Sequence, residues 1–209
     1  ILDMGCSTGH FMHLIEHKTK KVYGHELSIK EDAFCQDVKG LDVSNQPLGE
    51  RFEPGTFDFI TLIFVLEHIS EPVVFLEYLK KFLKPGGKIL IVVPNVDDPL
   101  VSFYNIPEFQ SFYYCIEHLF YFNKNSISLL FDKAGLSGEI SQVQEYPLTN
   151  HLNWIYRRCP SNSLAARKGI PDILAGSDDA EACEQLWQKL NLSYREFLLD
   201  QGYAARLWC

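Results

Sequence analysis

The chain has 209 residues, 46% of them hydrophobic and 22% charged, so it can bury a sizeable globular core and is too apolar to stay disordered. Its net charge is −8, with 12 basic and 20 acidic side chains over residues 1–149 and 7 of each over 150–209. That acidic main body lacks the basic footprint of a nucleic-acid or anionic-membrane partner, and no apolar run approaches the roughly 20 residues that cross a bilayer.

Residues 1–4 read as a strand entering a Gly-rich turn, followed by a helix over 9–17 with Phe11, Leu14 and Ile15 on one face. Residues 21–26 (KVYGHE) read as a second strand, Ser28 caps a helix to about Gln36, and 40–43 form a weak third strand. The run FDFITLIF over 57–64 is the pattern of a strand buried on both faces. Pro72 opens a helix through Val74, Leu76, Leu79 and Phe82 to Leu83, Pro85-Gly86-Gly87 ends it, and 88–93 (KILIVV) is another buried strand. Strands alternating with helices give an α/β sheet, mostly parallel. Residues 103–122 then hold nine aromatics, and a helix capped by Asn123 or Asn125 runs through Ile127, Leu130 and Phe131 to Gly135. An edge strand over 139–146 and a Ser/Gly/Pro-rich loop over 161–176 follow. A long helix from Ser177 or Asp178 to about Gln201 carries Cys183, Leu186, Leu190, Tyr194, Phe197 and Leu198 on one side.

Six cysteines (Cys6, Cys35, Cys115, Cys159, Cys183, Cys209) lie far apart with no C-x-x-C pair, which is neither a zinc spacing nor a disulfide framework. Reduced thiols, a cytoplasmic location and no metal are expected. The chain opens on Ile1 inside a strand, without an initiator Met, basic n-region or cleavage site, and reads as a fragment lacking its N-terminal part.

The strongest local signal is ILDMGCSTGH, where a hydrophobic strand ends in an acid and Gly5 and Gly9 bracket a turn into a helix. A plain strand–helix turn is the structural alternative, and dinucleotide-binding folds share the shape. Glu26, the next acid at a strand end, can accept both hydroxyls of a ribose, or can simply be a solvated strand-end charge.

The blocks LDMGCSTGH, YGHELS, GTFDFITLIFVLEHISEP and LKPGGKILIVVPN, in that order, resemble the class I S-adenosylmethionine-dependent methyltransferases over about residues 1–95, and more loosely over 117–136. The resemblance implies a Rossmann-like, doubly wound, seven-stranded, mostly parallel sheet with a final antiparallel hairpin. The methyltransferase domain is expected over residues 1–149, with an aromatic-rich cap insertion over 96–122 inside it, and a C-terminal helical extension follows over 150–209. It also implies that Asp3 lies at the methionine ammonium and that Gly5, Cys6, Ser7 and Gly9 form the loop beneath S-adenosylmethionine. Glu26 would hold the ribose hydroxyls and Leu27 the adenine, while Phe64, Val65 and Glu67 line the methionine side. Two positions depart from the family pattern. Ser7 replaces a middle glycine, which is tolerated at negative φ, and the acid after the third strand is missing, Asn45 or Gln46 standing in its place rather than Asp37 or Asp42.

Methyl transfer, leaving S-adenosylhomocysteine, needs an in-line nucleophile and excluded water, and a base only where the acceptor must lose a proton. His118 and His68 are the candidate catalytic residues, with Glu117 and Tyr121 behind them. A backbone-bonded structural histidine is the alternative for His118, and a site-orienting one for His68. The aromatic segment reads either as a cap over the acceptor or as core of a subdomain. The long helix packs on the domain, with homodimer formation or lid duty as alternatives. Arg157, Arg158, Arg167 and Lys168 flank a loop, as solvated surface or as a nucleotide-sugar phosphate site. The acceptor expected is a small molecule, and the stretch YPLTNHLNWIY, similar to methyltransferases of bacterial polysaccharide clusters, points to a sugar or nucleotide sugar. A non-catalytic cofactor-binding or scaffold subunit is the alternative from another class. An NAD(P)-dependent oxidoreductase explains the glycine turn and Glu26 but not LEHISEP or LKPGG.

Overall fold

The computed structural model describes residues 1–37, 39–160 and 180–209. Its strands are β1 (Leu2–Met4), β2 (Tyr23–His25), β3 (Val43–Ser44), β4 (Phe57–Ile63), β5 (Leu83–Pro94), β6 (Ser141–Val143) and β7 (Arg206–Trp208), forming one sheet in the order β3-β2-β1-β4-β5-β7-β6. Pairing is parallel from β3 through β5. β7 is antiparallel to β5, because Ile91 and Cys209 exchange both backbone hydrogen bonds, at 2.8 and 2.9 Å. The strand order reverses between β1 and β4, the switch point at which open α/β sheets bind ligands beyond their carboxyl ends. The doubly wound, mostly parallel sheet expected from the sequence is therefore present.

The helices are α1 (His10–Ile15), α2 (Ile29–Asp37), α3 (Leu48–Arg51), α4 (Pro72–Lys80), α5 (Pro99–Ser102), α6 (Pro107–Tyr113), α7 (Lys124–Ala134), α8 (Leu148–Arg157) and α9 (Ala180–Asp200). Two compact units are formed: residues 1–93, 124–140 and 208–209, and residues 94–123 and 141–207. In the first, Cys6, Met12, Val22, Cys35, Leu41 and Val43 make a buried cluster, and Lys80 of α4 donates to the Ala134 and Gly135 carbonyls that α7 leaves unsatisfied at its end. In the second, Leu100, Val101, Ile106, Phe109, Tyr113 and Trp154 form the core.

Several expectations are corrected. α4 stops at Lys80, and the Pro85-Gly86-Gly87 stretch belongs to β5, absorbed by a register shift opposite Phe57–Phe59 rather than marking a helix end. β3 begins at Val43, later than expected. Residues 96–122 fold into α5 and α6, each with a proline in its first turn; α8 was not anticipated, and the seventh strand, implied by the resemblance without a location, is β7. On α9 the inward side is Trp187, Asn191, Tyr194 and Leu198, so Tyr194 and Leu198 of the side read from the sequence face inward, whereas Leu186, Leu190 and Phe197 are exposed and the packing face is shifted around the helix. The 161–176 loop, the helix start at Ser177 or Asp178, Arg167, Lys168 and the Cys183 side chain lie outside the described residues.

Candidate functional site

β1 ends at Met4, and the Gly5–Gly9 loop carries the chain into α1. The Gly5 and Cys6 N–H groups both donate to the His25 carbonyl, at 2.8 and 3.2 Å, which ties the loop to the end of β2. Gly5 has φ +67°, and a Cβ there would lie 2.5 Å from the Val65 Cγ2. Gly9 has φ +68°, and a Cβ would press into Leu41 and the Cys35 sulfur. Only glycine meets both demands.

Ser7 adopts φ +47°, so the negative φ expected for a serine at this position is not what the loop uses. Its left-handed backbone costs on the order of 1–2 kcal/mol. The Ser7 N–H donates to Glu26 Oε2 at 2.8 Å while the Ser28 N–H donates to Oε1 at 2.8 Å. Charge-assisted bonds of this kind offset the strain. The Glu26 carboxylate is thus gripped by two backbone amides, with lone pairs left on each oxygen for a further donor. Beside it the Leu27 side chain is 76% exposed. Asn45 and Gln46 follow β3 directly, whereas Asp42 is engaged in ion pairs with Lys21 and Arg51.

Asp3 is buried, and its cross-strand partner in the β1–β4 ladder is Thr61, whose hydroxyl donates to Asp3 Oδ1 at 2.6 Å. Burial pushes the Asp3 carboxyl up to about 6, and the Thr61 hydroxyl works against that rise. Burial likewise pushes the Cys6 thiol up, so it stays protonated and is no nucleophile. After β4, Phe64 holds φ +56° and is half-exposed, an unusual backbone for a bulky side chain at a strand end. Val65 is half-buried, Glu67 buried and His68 exposed in the single turn Leu66–His68.

His118 belongs to the second unit, half-buried, with its ring 5.4 Å from that of Tyr121. The Tyr121 hydroxyl accepts the Cys115 N–H at 2.8 Å and lies 3.3 Å from the Tyr113 carbonyl, which fixes it to the backbone, and Glu117 is exposed. His68 and His118 stand in different units. The second unit also buries a polar group that the sequence did not single out. The Tyr194 hydroxyl lies 3.0 Å from that of Tyr104 and 2.5 Å from His151 Nδ1. Asp98 caps α5 by accepting the Leu100 N–H at 2.8 Å. Burial lowers the His151 pKa to about 3 and raises that of Asp98 to about 7.

Thr61 and Ser28 were missed as supports of Asp3 and Glu26. The signal for Thr61 was a polar residue within the apolar run 59–64 of a strand that reads as buried on both faces. Together the first unit offers a carboxylate with free lone pairs, a second carboxylate that is buried, an uncovered leucine and a loop too tight for side chains. That donor set matches vicinal hydroxyls, a cation and a flat apolar ring on one ligand, as S-adenosylmethionine presents them. A cavity of about 520 Å³ lined by Phe59, Ile89, Phe131 and Leu136 shares none of these residues.

Comparison with known proteins agrees. Residues 1–139 match the family model described as a methyltransferase domain. The chain is 28% identical over 104 residues to a ubiquinone biosynthesis O-methyltransferase of Paracidovorax citrulli, covering 46% of this chain and 43% of that one. It is 27% identical over 104 residues to a tRNA U34 carboxymethyltransferase of Campylobacter curvus, covering 46% and 35%. The chain thus spans less than half the length of these curated relatives. Among solved structures, an S-adenosylmethionine-dependent methyltransferase from Archaeoglobus fulgidus superposes with TM-score 0.62 at 14% identity, over 99% of this chain and 82% of that one. Phosphoethanolamine N-methyltransferase 2 of Haemonchus contortus, in complex with S-adenosylmethionine, gives 0.58 at 20% identity, over 99% and 47%. With the glycine loop, the anchored Glu26, the antiparallel last strand and this match over most of its length, the chain belongs to the class I S-adenosylmethionine-dependent methyltransferases.

Proposed function

We propose that this chain transfers a methyl group from S-adenosylmethionine to a small-molecule acceptor. The observation that carries the reading is the Glu26 carboxylate clasped by the Ser7 and Ser28 N–H groups at the carboxyl end of β2. Glu26 accepts the two ribose hydroxyls, and Leu27 packs against the adenine, with Asn45 or Gln46 at the position after β3. Gly5, Cys6, Ser7 and Gly9 provide the close backbone approach. Asp3 balances the methionine ammonium, and Phe64, Val65 and Glu67 line that end. The bound cofactor supplies an electrophilic methyl group, so the protein's share is binding, orientation and exclusion of water.

The acceptor is argued from the remainder of the chain. Two curated relatives each match over 104 residues yet carry names with different acceptors, so those matches do not select an acceptor. The net charge of −8 disfavours a polyanionic acceptor, and the aromatic 103–122 segment offers ring faces to a sugar. A sugar hydroxyl must lose its proton, a task for His118 or His68.

Calorimetric titration with S-adenosylhomocysteine, with NADH as control, tests the cofactor assignment. We expect saturable binding of the first ligand alone, weakened roughly 100-fold or more in Glu26→Gln by loss of two charge-assisted hydrogen bonds. Binding of NADH, or an unaffected variant, overturns the assignment. Cofactor binding without methylation of any acceptor in a sugar and nucleotide-sugar panel would favour the non-catalytic reading.

A further inference from the structure

We propose that Thr61 is a positioning residue for cofactor binding, holding the Asp3 carboxylate ionised and in one orientation so that its remaining oxygen meets the methionine ammonium. The inference rests on the reading of Asp3 given above.

The arrangement follows from strand register. Asp3 and Thr61 are direct partners in the parallel β1–β4 ladder, so their side chains leave the same face a few ångströms apart. A hydroxyl on Cβ then reaches the neighbouring carboxylate, and does so at 2.6 Å, with the Leu2 carbonyl 3.5 Å away as its other neighbour. Both side chains are almost fully buried, Asp3 at 3% and Thr61 at 1% exposure. A buried carboxylate is driven toward its neutral form, and a neutral acid does not balance an ammonium. Among the groups around Asp3, the Cys6 thiol is protonated, His25 is pushed toward its neutral form by burial, and His10 and His13 of α1 are exposed. Glu26 at the end of β2 and Glu67 beyond β4 are acids and offer no counter-charge. The Thr61 hydroxyl is the donor that opposes the effect of burial on Asp3. A valine at position 61 would fill the same space in the strand and satisfy the apolar pattern of FDFITLIF, so packing does not account for threonine here.

The test pairs Thr61→Val with Thr61→Ser. In the ligand-free chain, the Asp3 side-chain carboxyl is titrated by carbon NMR. In the same proteins, S-adenosylhomocysteine affinity is measured by calorimetry from pH 5 to pH 7, where an amino group stays protonated. Wild-type affinity should fall about tenfold from pH 7 to pH 5, following Asp3 protonation. Thr61→Val should move both the Asp3 midpoint and the binding midpoint up by about one pH unit, leaving affinity about tenfold below wild type at pH 5. Thr61→Ser, which keeps the hydroxyl, should restore both curves. Thermal melts confirm that each variant is folded. If the valine curves superimpose on wild type, Thr61 only fills space and the proposal fails. If the Asp3 midpoint moves but affinity ignores pH, the placement of Asp3 at the cofactor fails instead, and the two failures are distinguished by the ligand-free titration.

Discussion

The two compact units treat polar groups in opposite ways. In the first, the candidate site groups at the end of β2 and in the glycine loop are satisfied by backbone: Glu26 by the Ser7 and Ser28 amides, the loop by the His25 carbonyl. In the second, polar side chains are drawn into the interior and meet other side chains, as in the Tyr104–Tyr194–His151 chain. Backbone-satisfied groups are placed by the course of the chain and tolerate exchange of their neighbours. A buried side-chain cluster ties its stability to the protonation of each member.

The largest effect should come from separating the two buried titratable groups of the second unit. His151 has a folded pKa of about 3, below its ordinary 6.5, so its contribution is complete above 6.5 and is lost as pH falls toward 3. Asp98 has a folded pKa of about 7, above its ordinary 3.8, so its contribution is complete near 3.8 and is lost as pH rises to 7. Between about pH 4 and 6.5 the slopes oppose each other, and the wild-type second unit should be nearly indifferent to pH. Asp98→Asn leaves His151 alone, and stability should then fall on acidification by about 1.4 kcal/mol per pH unit, roughly 3 kcal/mol across that window. His151→Gln should show the reverse slope. Hydrogen exchange at the Leu100 and Trp154 amides at pH 4.5 and 6.5 reads both, and parallel slopes in the two variants would break the contrast between the units.

The same contrast explains what could be read from the sequence. Strand–helix alternation over the first 93 residues, and the glycine loop and the strand-end position of Glu26 within the first 26, depend on local chain geometry, so they were legible. Thr61 was not, because its role depends on pairing with Asp3 across 58 positions. The Tyr104–Tyr194 contact spans 90 positions, and no local period announces it. The exposed Leu186, Leu190 and Phe197 misdirected the reading of α9 for a related reason. An apolar stripe marks a packing face only where another element covers it, and polar Asn191 and Tyr194 were selected by partners on α8, through Leu148 and His151.

A smaller effect is expected at Asp3, the buried carboxyl of the first unit's candidate site. With a folded pKa of about 6 against 3.8, Asp3 contributes stability that is complete near 3.8 and lost as pH rises to 6, while His25, lowered by burial, slopes the other way. At neutral pH the charged buried acid is therefore a cost, and Asp3→Asn, whose amide oxygen still accepts from Thr61, should stabilise the chain by about 1–3 kcal/mol at pH 7. The same variant should bind S-adenosylhomocysteine far more weakly. Denaturant midpoints at pH 5 and 7 check the first statement, and a variant no more stable than wild type at pH 7 would remove the idea that this strand end trades stability for binding.

The smallest effect sharpens the comparison at the level of a single φ. Ser7 and Arg158 share a left-handed backbone, at +47° and +57°, one in the candidate cofactor loop and the other ending α8. Glycine should relieve both, but its greater freedom in the unfolded chain returns part of the gain, leaving about 0.5–1 kcal/mol. Arg158→Gly also removes a half-exposed ion pair with Glu108 at 3.8 Å, an interaction that contributes little. Ser7→Gly keeps the N–H that grips Glu26 and loses only the 3.4 Å contact of its hydroxyl with Glu31. A rise of a few degrees in melting temperature with unchanged S-adenosylhomocysteine affinity is therefore expected for Ser7→Gly. Weaker binding by a more stable Ser7→Gly would show that the side chain, not the backbone amide, aims the Glu26 carboxylate.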